Sequence, residues 1–181
     1  MEYTVRALTC PPMAVERFLS SYVDVETFLA CCRQCPNYGR RGTCPPYDFA
    51  PADYWQRWRT LSLSARQIAF PPEVRKGNLQ AGLTLLQQEK DRFLRDLLTL
   101  EAQLPGSMAL AAGSCGRCDP CPMAEGQPCR HPETFRYSVE SLGGNVAAAA
   151  RDLFGLELLW AKAENLPPYY LLIGGLLQDP A

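Results

Sequence analysis

Three cysteines spaced three apart, Cys115, Cys118 and Cys121, followed by Cys129, constrain this chain more than any other feature. Gly113, Gly116, Pro120, Pro122, Gly126 and Pro128 surround them with turn residues, so the segment is a shaped loop rather than a helix or strand. Three thiolates at this spacing wrap a compact inorganic core, and the loop leaves backbone N–H groups free to hydrogen-bond its sulfurs. Zinc ribbons instead pair two Cys-x2-Cys knuckles across a longer gap. The first three positions match the ferredoxin pattern and the fourth does not.

A second set lies upstream: Cys32-x2-Cys35, then Cys44 followed by Pro45 and Pro46. It supplies three well-spaced thiols and lacks an evident fourth. Cys31 adjoins Cys32, and neighbouring residues rarely point into one cluster. Cys10, in its own Cys-Pro-Pro setting, and Cys129, crossing over, are both alternatives. The remaining alternative is an iron with an open position, free to bind substrate. Cys31 and Cys10 also read as small buried apolar residues.

The nine cysteines of the 181 residues are an odd number, which a full disulfide pairing does not accommodate. The amino terminus lacks the apolar run of a secretory signal, and residues 166–177 are too short and too broken by Pro and Gly to span a bilayer. The expected location is the reducing cytoplasm, where cysteine sets serve metals rather than disulfides. A formal net charge of −1 gives no reason to expect binding to nucleic acid or to an anionic membrane.

Glu2–Leu8, Leu61–Phe70, Ser107–Ala112 and Tyr169–Leu177 read as strands. Helices are expected over Pro12–Val23, Val25–Leu29, Ala52–Thr60, Asn78–Leu104 and Ser138–Phe154, with Gly143–Gly144 positioned to break the last. Asn78–Leu104 is the clearest, with Leu79, Leu83, Leu86, Phe93, Leu97, Leu98 and Leu100 near the helical period. Such alternation predicts an α/β (α+β) fold, a mixed sheet with helices packed on it. One domain over 1–181 carries the cysteine motifs as loops at 31–46 and 113–132.

The candidate metal ligands are Cys32, Cys35, Cys44, Cys115, Cys118, Cys121 and Cys129. Arg130 and His131, directly after the last cysteine, are the candidate cofactor contacts. Arg33, Arg40, Arg41 and Arg117 also lie inside the motifs, where cations offset the charge of a thiolate-ligated cluster; singly, each also reads as a solvated loop charge. Tyr38, Tyr47, Phe49, Tyr54, Trp55 and Trp58 either shield the first site or belong to the core. Tyr137–Val146, with Ser138, Glu140 and Gly143–Gly144, either brings polar groups to a ligand or, as favoured for Glu140, supplies a helix N-terminal carboxylate.

Cys32-x2-Cys35-Pro36-Asn37-Tyr38-Gly39, Cys44-Pro45-Pro46, Gly113-Ser114-Cys115-x2-Cys118-x2-Cys121 and Pro128-Cys129-Arg130-His131-Pro132 together resemble a cysteine-rich predicted metal-binding protein family of bacteria and archaea, a domain of unknown function. Ser138-x-Glu140-x2-Gly143 and the Leu166-Pro167-x-Tyr169-Tyr170 segment extend the resemblance over nearly the whole chain. The resemblance implies metal binding by iron–sulfur clusters and no particular reaction. Gly143-Gly144-Asn145-Val146 departs mildly from the family pattern.

Three functions fit these residues. An iron–sulfur protein, with one or two [4Fe–4S] clusters, passes electrons to or from a redox partner protein. An enzyme binds a small-molecule substrate at an incompletely ligated cluster. A zinc-stabilised interaction module uses the cysteines for structure alone.

Overall fold

The computed structural model describes residues 1–180. Two long strands form its centre. Strand β3 (Trp58–Ala69) pairs antiparallel with β5 (Tyr169–Pro180) over almost their whole length. Strand β1 (Thr4–Thr9) and the two-residue β2 (Met13–Ala14) pair with the other edge of β3, and β4 (Met108–Leu110) pairs with β5. The order is β1-β3-β5-β4, all antiparallel, with one isolated parallel bridge between Ala111 and Ser138.

The period-2 alternation of a strand sends neighbouring side chains to opposite faces, and here both faces are covered. Leu61, Leu63, Ala65, Ile173 and Leu177 join one core with Val15, Phe18, Trp55, Ala149 and Ala150. That face is covered by helices α1 (Val15–Tyr22), α3 (Pro51–Gln56) and α5 (Val146–Phe154). Ile68, Phe70, Tyr170, Leu172 and Leu176 join a second core with Leu85, Phe93 and Leu97 of the 25-residue helix α4 (Leu79–Gln103). The α/β expectation therefore holds, as a mixed α+β fold with an antiparallel sheet.

Helix α4 lies close against the sheet because β5 carries Gly174 where a side chain would meet Leu97, Phe93 and the Leu110 carbonyl. Its Glu89 is 2% exposed and stays tolerable through partners. Arg66 of β3 reaches its carboxylate at 3.3 Å, and the Tyr3 hydroxyl donates at 3.4 Å. A buried carboxylate without such partners costs several kcal/mol, about 3–5.

Several elements depart from the sequence pattern. The helix expected over Ala52–Thr60 stops at Gln56, because the chain from Trp58 onward finds ladder partners on β5. Helix α2 (Val25–Arg33) runs four residues beyond Leu29 and carries Cys31 and Cys32 on its last turn. The expected helix over Ser138–Phe154 begins only at Val146, capped by the Asn145 side chain, which accepts from the Ala148 N–H at 2.9 Å. Gly143, at φ +85°, turns the preceding residues away from the helix, close against Val25. No helix among the described residues is long and apolar enough to cross a membrane.

Candidate metal centre

The two cysteine loops are joined side by side. Arg41 of the first loop donates to the Cys118 carbonyl of the second and pairs with Asp119 at 3.1 Å. The Cys115 N–H donates to the Thr43 hydroxyl at 3.1 Å, and Asn37 donates to the Ser114 hydroxyl at 3.0 Å. Gly42 sits where any Cβ would run into the Met123 sulfur. Stacked and edge-on rings back this junction: Tyr47 lies 4.8 Å from Phe49 and 5.2 Å from Tyr137 between centroids. Tyr54 and Trp55 belong to the core, and the Tyr47 hydroxyl holds the Thr43 carbonyl at 2.8 Å.

Cys115, Cys118, Cys121 and Cys129 line one narrow hollow of about 20 Å³, with Arg41, Arg117 and His131 also on its wall. The backbone N–H of His131 donates to the Cys129 sulfur at 3.4 Å. Cys129 therefore lines the same hollow as the other three cysteines of the second set. Arg130 is exposed, whereas its neighbour His131 lines the hollow.

Cys32, Cys35 and Cys44 line a separate and wider hollow of about 170 Å³. Asn37, Tyr38, Ser138, Ser141 and Glu140 complete its wall. Cys10 lies elsewhere, half-buried against the core with its thiol directed at the Leu63 carbonyl at 3.7 Å. Cys31 is exposed on α2 and lines neither hollow. In place of a fourth cysteine the first hollow has the Glu140 carboxyl. Glu140 is thus not a helix N-terminal residue: the glycine turn before α5 directs it inward, and its Oε2 accepts from the Gly113 N–H at 3.4 Å.

Burial governs the electrostatics of the first hollow. It raises the Cys44 thiol, with help from nearby Cys35, to about 11, and raises Cys32 in the same direction. It also lifts the Glu140 carboxyl and lowers the Lys90 ammonium. Lys90, on α4, donates to the Ser114 carbonyl at 3.0 Å. The Cys44 and Cys32 protons must leave before a metal binds.

Among the described residues no group of three His, Cys, Asp or Glu side chains is gathered closely enough to hold a single metal ion. The cysteines ring the hollows rather than converge on a point. The chemistry of the donor set fits a thiolate-bound cluster: four thiols, a backbone N–H on one sulfur and flanking arginines.

Thr43, Ser114 and Lys90 were not apparent as site residues in the sequence, and Glu140 was, only as the less favoured of two readings. Lys90 had one usable signal, since it continues the Leu83, Leu86, Phe93, Leu97 face of α4 as a cation. The others depend on loop contacts distant in sequence.

The model of a family described as predicted metal-binding protein (DUF2284) matches residues 20–177. No curated protein and no solved structure matches the chain.

Proposed function

We propose, on the premise that the chain belongs to the predicted metal-binding protein family DUF2284, that its metal is an iron–sulfur cluster used in redox chemistry with a partner. The observation carrying this reading is the ring of Cys115, Cys118, Cys121 and Cys129 about one hollow. Bound there, a [4Fe–4S] cluster supplies one-electron redox chemistry. Arg41 and Arg117 offset the negative charge of the four thiolates, and the His131 N–H stabilises one sulfur. Both effects favour the reduced form and raise the potential.

The first set supports a second site of different character. Cys32, Cys35 and Cys44 would hold a cluster there, with no fourth cysteine on the wall. Glu140, in the same hollow, would supply the remaining ligand or leave that position to a small molecule. This three-thiol hollow favours a second reading, in which the chain is an enzyme that binds substrate at an open iron.

Anaerobic purification with iron, acid-labile sulfide and zinc quantified, followed by EPR of the reduced protein, tests both readings. The expected result is eight irons and eight sulfides per chain. Two zincs per chain without sulfide would mean a structural zinc module. Four irons, lost on Cys118→Ser and retained on Cys35→Ser, would restrict the cluster to the second set and remove the basis for an open-iron enzyme.

A further inference from the structure

A third cavity, about 360 Å³, opens beside the first cysteine hollow and has no part in the ligand sets. Its walls are largely apolar: Leu83 and Leu86 of α4, Tyr170 and Leu172 of β5, and Leu159 before the final strand. Trp160 stands at the wall with 77% of its surface exposed, an unusual position for so large an apolar side chain. The volume falls within the range of small-molecule sites.

The cavity is not apolar throughout. Gly113, Ser114 and Glu140 line both it and the three-cysteine hollow, so the two spaces meet there. Lys90 lines the cavity near this junction, fixed by its bond to the Ser114 carbonyl, and is the one basic residue on the wall among the described residues. The Tyr170 side chain forms part of the wall and has a buried hydroxyl without a hydrogen-bond partner.

We infer that this cavity binds a small carboxylic acid with an apolar body, its hydrocarbon part along Leu83, Leu86 and Leu172 and its carboxylate on Lys90, facing the three-cysteine hollow. Lys90 shares this wall with the Glu140 carboxyl, so the ligand carboxylate competes with Glu140 for the ammonium, and the charged hydrogen bond supplies the selectivity. The leucines supply area without orientation, so the charge sets which end of the ligand enters first. The inference extends the three-thiol reading of the first site, on which it rests only for what the carboxylate faces.

Calorimetric titration of the full chain with octanoate, 1-octanol and octylamine tests it, with iron measured on the same samples. Octanoate is expected to saturate one site per chain, with the alcohol and the amine at least about tenfold weaker. Lys90→Met should bring octanoate down to the level of the alcohol, and Leu86→Trp should fill the space and weaken all three. Circular dichroism of both variants confirms that each is folded, and Lys90→Met alone suffices if Leu86→Trp is not. No saturable octanoate binding, tighter binding of octylamine, or unchanged binding by Lys90→Met would each overturn the inference. Octanoate binding in a sample free of iron would support the cavity and count only against the cluster.

Discussion

The two cysteine loops touch, yet they differ in what they leave unfilled. The second surrounds a narrow hollow with four thiols and two arginines. The first places three thiols and a carboxyl around a hollow of about 170 Å³ that meets a further cavity. A closed ligand set suits electron transfer, since the cluster need not change its bonds. An incomplete set beside open space suits chemistry on a ligand. Arg41, Thr43 and Gly42 join the two loops.

Removing a thiol is the severest way to break this comparison. Cys118→Ser should remove the iron of the second site, about half the total on the two-cluster reading, and Cys35→Ser the other half. Iron and sulfide analysis checks this, and a single variant losing all iron would mean that the loops share one cluster.

Arg66→Met is the control that should affect both regions alike. It removes one of the two arginines paired with the buried Glu89, leaving Arg92 in place, at a cost of about 1.5–3 kcal/mol. Denaturant titration should show that loss, while the folded fraction keeps its iron ratio between sites.

Gly42→Val attacks the seam. Its side chain meets the flexible, 37% exposed Met123, which must swing aside and loosen the seam at a cost of about 1 kcal/mol. The effect should appear as faster iron loss from both sites to a chelator, with little change in the far-UV spectrum.

Acidity should sharpen the contrast. With the Cys44 thiol raised to about 11, the metal-free first site holds that proton throughout the neutral range. Metal binding expels it, so apparent affinity should fall by up to about tenfold for each pH unit lowered, about 1.4 kcal/mol, for this thiol alone. Reconstitution at pH 7 and pH 8 with site-resolved EPR measures it. Equal loading of the first site at both pH values would contradict the role of Cys44.

Much of the fold was legible because local pattern and final environment agree. Helix α4 appears within a residue of its expected ends, since a long 3.6-period stripe finds a sheet face to cover. The Ala52–Thr60 region misled because its aromatics suit a helix locally, while Trp58 and its successors gain more from pairing with β5. Leu83, expected on the buried face, is 43% exposed and borders the ligand cavity instead.

By itself the sequence determined the two cysteine loops, their turn-rich character and the seven candidate ligand positions. Thiol spacing along a short loop is a local property, and no distant residue is needed to read it. Only the tertiary structure decided that Cys129 joins Cys115, Cys118 and Cys121, that Cys10 is half-buried against the core, and that Glu140 faces the first set. Those placements depend on the glycine turn before α5, the pairing of β3 with β5 and the seam between loops more than 70 residues apart in the chain. Contacts between such distant residues follow from packing that no local spacing records.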